Sequence, residues 1–269
     1  MSDRENLRTM VKRLRKSTLD LMGVRVDNID IETALETVHA FASVGEEAPP
    51  RRVFFANVHT IHLARRMPEF RRCVNDAEMV LADGSGVKIA GRAFGTPIRE
   101  NLNGTDLAPK VFRYAQERGC TVYLLGAKPE VAERCRERLR QQYPDLRIVG
   151  SHSGYFRGEE ERRIIGEINA ARPDILLVAF GSPIQEMWIS RHREELRARV
   201  CFAVGGLFDF IAGVVRRAPR GLRAAGFEWL YRFIVDPKNK WKRVFLEIPP
   251  FLALVLYHRF AAGRRLALK

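Results

Sequence analysis

Short apolar runs recur along the chain, separated by stretches in which apolar residues return every three or four positions. Residues 24–26, 53–56, 79–82, 121–125, 148–151, 175–179 and 201–204 are brief, apolar and often β-branched, so each reads as a strand. The clearest, Ile175-Leu-Leu-Val-Ala179, does not alternate with polar residues and suits a strand buried on both faces of a parallel sheet. Ile31, Ala34, Leu35, Val38 and Phe41 mark a helix over 31–42 behind an Asp30 cap. Further helices are expected through Ala64, from Ser85, from Asp106 to Arg118, and over 130–141, 159–171 and 184–198, with a loop at 46–50. Strands separated by single helices imply βαβ crossovers and a doubly wound, mostly parallel α/β sheet of Rossmann-like type.

The pattern changes at both ends. Residues 1–20 form a polar, basic leader, either mobile or a short helix, with no apolar core for a signal peptide or a membrane span. The ordered fold is expected from about Leu21, and an α/β core over 21–212 fits the size of one domain. After Gly205-Gly206 no strand is expected. Residues 213–269 read as a helical appendage in which Trp229, Tyr231, Phe233, Trp241, Phe245, Phe251, Tyr257 and Phe260 are interleaved with Arg and Lys. The chain's net charge is +14, and this appendage holds thirteen Lys/Arg against three Asp/Glu. Such a local patch calls for an anionic partner: nucleic acid, phospholipid headgroups or a diphosphate. Its longest apolar run, 251–257, is far short of the roughly 20 residues of a spanning helix. Four scattered cysteines suggest a reducing compartment, with neither a disulfide framework nor a zinc site.

Candidate chemistry gathers where strands end. After 175–179 comes Phe180-Gly-Ser-Pro-Ile-Gln-Glu186, in which Gly181 allows a turn, Ser182 can cap, Pro183 fits the first helical position and Gln185 completes a capping box. Such a helix start aims free N–H groups at an anion, and Gln185 either caps or binds a ligand. Asp83, in Asp83-Gly-Ser-Gly-Val87, is either an N-cap or a general base at the ligand crevice of an α/β sheet. Asn103-Gly-Thr-Asp106 is a turn into a helix with Thr105 or Asp106 as cap, and Gly126 in Leu124-Leu-Gly-Ala-Lys-Pro129 repeats the strand, glycine turn, helix arrangement. Dinucleotide and P-loop fingerprints are missing, which disfavours NAD enzymes and P-loop NTPases. No Asp-x-Asp pair is present for a metal, the nearest being Asp30-Ile-Glu32, and His59 and His62 read as helix-surface or loop packing.

Together these stretches resemble the WecG/TagA/CpsF glycosyltransferases over roughly residues 21–251. The resemblance is carried by Phe54-Phe-Ala-Asn-Val58, the Asp83, Asn103 and Leu124 segments, Gly154-Tyr-Phe156, the Gln185 segment, Val204-Gly-Gly-Leu-Phe-Asp209 through Gly213, and Glu228-Trp-Leu-Tyr-Arg232. It implies an inverting, metal-independent transfer of a sugar, N-acetylmannosamine-like or a related hexose, from a UDP-sugar to a polyprenyl-diphosphate-linked saccharide in cell-surface polysaccharide synthesis. The expected location is the cytoplasmic face of the membrane, held peripherally through anionic lipid. No cofactor and no nucleic acid are implied, and homo-oligomerisation is left open. Asp83 matches the proposed base and Gln185 a second active-site residue. Asn57, Asn103, Thr105, Asp106, Gly126 and Asp209 are expected to line the pocket, with Arg232 and Lys242 offsetting charge on the UDP. Phe55, Asn101 and Asn239 depart from residues the family tends to carry. Two other readings compete: a non-enzymatic nucleic-acid binder using the basic tail, and an inactive membrane-bound relative.

Overall fold

The computed structural model describes residues 3–43 and 48–266, so the expected loop at 46–50 lies partly outside the described residues. Among them, eight strands form one sheet: β1 (Thr18–Leu21), β2 (Val24–Asp27), β3 (Arg51–Ala56), β4 (Met79–Ala82), β5 (Thr121–Gly126), β6 (Arg147–His152), β7 (Ile175–Ala179) and β8 (Val200–Ala203). Their order is β1-β2-β4-β3-β8-β7-β5-β6. Every pairing in it is parallel except the β1–β2 hairpin. The doubly wound α/β architecture is thus present, with a helical C-terminal region.

Alternate residues of the central strands feed two cores. Phe55, Leu81, Leu177 and Phe202 pack on one face with the helices Ile31–Ser43, Gly104–Arg118 and Pro129–Gln142. Phe54, Val80, Val178 and Ala203 pack on the other with Val58–Arg66, Pro68–Asn75, Ser85–Ala93, Glu159–Ala171 and Ile184–Arg191. Burial on both faces explains why these strands lack polar alternation. Because β4, β3, β8 and β7 are neighbours, the loops after them stand side by side at one edge.

The leader takes the helical form of its two expected ones, but the fold begins earlier than expected. Asp3–Lys16 is a helix, and Leu14 is buried in the first core. Thr18–Leu21 then pairs with Val24–Asp27 across a tight turn whose Met22 and Gly23 both have positive φ, the backbone twist that two-residue hairpins require. Asp20 secures the turn by accepting from the Gly23 amide at 2.7 Å. Ordered structure therefore starts well before Leu21. The helix expected over 184–198 also ends early, at Arg191.

Gly126 is fixed by packing. Its φ is +139°, and a Cβ there would lie 2.6 Å from the carbonyl oxygen of Ala179 on the neighbouring strand. Gly126→Ala should lower stability by about 3 kcal/mol or more, combining backbone strain with an unavoidable clash. A urea midpoint equal to the parent's would contradict this.

The C-terminal region lies on the body. The helix Ile248–Leu266 buries Phe251 and Val255 in the second core, beside Val58–Arg66 and Ser85–Ala93. Ahead of it run Glu228–Val235, Pro237–Lys242 and a π-helical turn, Arg243–Glu247. The Asn239 side chain lies outside the described residues.

Candidate active site

Parallel pairing of Ala56 with Ala82 sets the residues that follow β3 and β4 against each other. Asn57 Nδ2 donates to Asp83 Oδ2 at 3.0 Å. Asn57 Oδ1 caps the helix Val58–Arg66 by accepting from the Thr60 amide at 3.1 Å. Those bonds fix the amide orientation. Asp83 is not a helix cap, since Gly84 occupies that position without a side-chain bond. Gly84, at φ +97°, donates its amide to Asn101 Oδ1 at 2.6 Å, so Asn101 braces the Asp83 loop.

A third group arrives from the far end of the chain. Arg243, in the π-helical turn, donates from Nη2 to Asn57 Oδ1 at 3.0 Å and feels the charge of Asp83. Burial lowers its proton affinity, an effect opposed by the charges of Asp83 and Glu247 and reinforced by Arg232. Lys242, the cation expected here from sequence, instead stands 6.0 Å from the ring of its neighbour Trp241. One residue along the turn makes the difference. Arg232 is engaged by Glu228 at 2.6 Å and lies 4.9 Å from the Phe210 ring, yet its Nε is buried without a hydrogen-bond partner among the described residues.

The same turn anchors itself to the body. His59 Nδ1 lies 2.9 Å from both carboxylate oxygens of Glu247, so His59 belongs to a contact between body and tail rather than to surface packing. Burial works to raise the Glu247 carboxyl, but the His59 hydrogen bond and the charges of His59, Arg243 and His62 hold it below its ordinary value. A depressed carboxyl adds stability above the unfolded pKa and loses it as pH falls through the folded one. Glu247→Gln should therefore flatten the acid side of a melting-temperature profile taken between about pH 3 and 7. An unchanged acid slope would show that this pair does not hold the turn.

At the start of Gly104–Arg118 the cap is Asn103, not Thr105 or Asp106. Its Oδ1 accepts from the Asp106 amide at 3.0 Å and from the Thr105 hydroxyl at 2.6 Å, while its Nδ2 donates to Asp106 Oδ2 at 2.6 Å. Asp106 in turn meets Arg217 at 2.8 Å and Arg223 at 3.8 Å. Burial favours its neutral form, but hydrogen bonds from Arg217 and Asn103 and the charges of Arg217 and Arg223 outweigh it and keep the carboxyl low. Asp106 thus ties down tail arginines instead of lining the pocket freely. Arg217 retains a buried Nε and Nη2, and Arg223 a buried Nε, with no hydrogen-bond partner among the described residues. Sequence inspection offers no way to single these two out from the other tail cations.

The junction after β7 does not form the expected capping box. The Ser182–Pro183 bond is cis, Pro183 is itself the cap residue without a side-chain bond, and the Ser182 hydroxyl donates to Glu186 Oε1 at 2.7 Å. Gln185 is buried. Its Oε1 accepts from the amides of Gly181 at 3.2 Å and Gly205 at 2.9 Å, and its Nε2 donates to Glu186 Oε1 at 2.9 Å. A buried amide with both ends engaged ties the loop after β7 to the loop after β8. Nearby, Asp209 lies in the short helix Leu207–Ile211, and burial, followed by the charge of Asp209, pushes the Cys135 thiol up to about 12. Phe156 packs inward against Phe180 and Trp188, whereas Tyr155 is 69% exposed.

Asp83, Asn57 and Arg243 thus meet at the sheet edge that also carries the loops joined by Gln185 and, through the Leu102 amide on the Ala82 carbonyl, the start of the Asn103–Asp106 turn. This edge pairs a carboxylate with cations and buried guanidinium donors, a set suited to removing a proton and receiving an anionic leaving group. Among the described residues no three His, Cys, Asp or Glu side chains group as a metal site.

Comparison with known proteins adds an independent line. A family model described as the glycosyl transferase WecG/TagA/CpsF family matches residues 19–265. Two Staphylococcus aureus proteins, from strains MRSA252 and NCTC 8325 / PS 47, are each 30% identical over 246 residues, covering 91% of this chain and 94% of the relative. Both are named N-acetylglucosaminyldiphosphoundecaprenol N-acetyl-beta-D-mannosaminyltransferase.

Proposed function

The chain belongs to the WecG/TagA/CpsF family of glycosyltransferases, and from that premise we propose that it transfers N-acetylmannosamine from a UDP-sugar to a polyprenyl-diphosphate-linked N-acetylglucosamine. The observation that carries this reading is the meeting of Asp83, Asn57 and Arg243 at the carboxyl edge of the sheet.

In the proposed reaction the acceptor hydroxyl oxygen attacks the anomeric carbon of the donor from the face opposite the diphosphate. The hydroxyl proton passes to the Asp83 carboxylate as the new glycosidic bond forms. The bond from the anomeric carbon to the phosphate oxygen breaks, its electron pair leaves with UDP, and the anomeric configuration inverts. Asn57 keeps Asp83 in one orientation through its Nδ2 donor. Arg243 and Arg232 take up the charge that develops on the diphosphate, the role a divalent metal fills elsewhere.

The tail supports a peripheral membrane position. Ile234, Val235, Phe245, Leu246, Leu256 and Tyr257 are all exposed, in a region whose cations suit anionic headgroups. Among the described residues no helix is long and apolar enough to cross a membrane. A surface contact is the arrangement that reconciles these two facts with a lipid-linked acceptor.

The test is a donor panel against a short-chain lipid-diphosphate N-acetylglucosamine, read by mass spectrometry in the presence of a chelator. UDP-N-acetylmannosamine should give a product heavier by one N-acetylhexosamine. Product from another UDP-hexose alone would reassign the donor, and a strict need for added metal would remove the cationic role given to Arg243 and Arg232.

A further inference from the structure

We propose that Glu186 is a positioning residue that acts as a neutral acid, its carbonyl oxygen holding Gln185 and, through Gln185, the two loops that wall the crevice. The geometry is unusual for a carboxylate. Glu186 is only 1% exposed, and its Oε1 accepts from both the Ser182 hydroxyl and Gln185 Nε2. Its Oε2 is buried with no hydrogen-bond partner among the described residues.

An ionised side chain would leave a full charge in a buried site with one oxygen lacking a protein partner among the described residues, which proteins avoid by pairing the charge or by keeping the proton. Among the described residues no cation pairs with it. The titratable groups that face it are His59 on Val58–Arg66, whose ring nitrogen is taken by Glu247, and Cys73 on Pro68–Asn75, whose thiol donates to the Glu186 backbone carbonyl at 3.3 Å. Arg52 of β3 reaches the same helix at Ser190 but is committed to Glu78. A protonated carboxyl fits the bonds that are made: one carbonyl oxygen accepts twice and the hydroxyl carries the proton. Burial pushes this carboxyl up, against the opposing bonds from Gln185 and Ser182 and the charge of His59.

The consequence runs outward. Glu186 fixes the Gln185 amide, and the amide oxygen then accepts from Gly181 and Gly205, so the spacing of two site walls depends on a side chain that touches no substrate.

The decisive comparison is between Glu186→Gln, which keeps the shape and a neutral acceptor–donor pair, and Glu186→Ala, which removes both. Glu186→Gln should hold kcat/KM within about threefold of the parent, and Glu186→Ala should lose about tenfold or more as the loop hydrogen bonds are lost. Two readouts need no turnover and so stand apart from the identity of the donor, on which the kinetic arm rests. At neutral pH the parent should show an infrared band of a protonated carboxyl that Glu186→Gln lacks. The parent should also lose stability as pH rises from the ordinary carboxyl range toward the raised value, and Glu186→Gln should not. Equal losses in the two variants, full activity in Glu186→Ala, or an infrared spectrum unchanged by Glu186→Gln would each overturn the proposal.

Discussion

Replacing Asp83 with Asn is expected to reduce turnover by about 100-fold or more while UDP binding stays close to the parent's, because the variant keeps the shape of the side chain and loses only its basicity. The surroundings make this a clean substitution. Asp83 receives a hydrogen bond from Asn57 Nδ2, and the amide oxygen of the replacement side chain can accept the same bond. Its backbone amide stays bonded to Ala56, and Asn101 still braces Gly84. Calorimetry with UDP and turnover with a soluble lipid-diphosphate analogue separate binding from chemistry. Activity within about tenfold of the parent would remove Asp83 from the role of base.

The second large effect is expected at Arg243. Arg243→Ala should reduce kcat by about 100-fold, the scale on which removing one preorganised electrostatic donor acts in a water-poor site. Lys242→Ala should remain within a few-fold of the parent. The contrast is informative because the two residues are adjacent in sequence and carry the same charge. A general attraction of the tail for anions would make them equivalent, whereas the geometry gives only Arg243 of the two a bond into the site. Arg243→Lys should recover little, since an ammonium lacks the planar fork that bonds Asn57 and would present further donors to the proposed diphosphate. Equal losses in Arg243→Ala and Lys242→Ala would favour the general attraction.

Much of the fold is legible because a parallel sheet buried on both faces imposes a strong signal: continuous apolar runs such as 175–179, several of them followed by a glycine turn and a helix. β1 is not legible in this way. Thr18-Leu-Asp-Leu21 is short, alternates with polar residues and follows a basic helix, and only its hairpin with β2 makes it a strand. Within the site, Asn57 and Asp83 can be picked out because each follows a strand, but nothing local says that β3 and β4 are neighbours. The capping box at Ser182 and Gln185 satisfies a local rule and is still absent, because Glu186, four residues on, takes the Ser182 hydroxyl and the Gly205 amide of the next strand's loop takes the Gln185 oxygen. The tail is the hardest part to read. Its charge is plain, yet Arg217, Arg223, Arg243 and Glu247 acquire their roles from residues more than a hundred positions away.

Those long separations bear on when the protein becomes active during its own synthesis. Chains emerge from the ribosome N-terminus first, and domains fold as units while translation continues. The strands, Asp83 and Asn57 are all exposed to folding before Arg243 and Glu247, which lie 186 and 188 residues beyond their partners, have been made. A nascent sheet can therefore form with Asp83 and Asn57 in place and Arg243 missing. On the role proposed for Arg243, a chain still short of that turn should turn over about 100-fold more slowly than the finished protein.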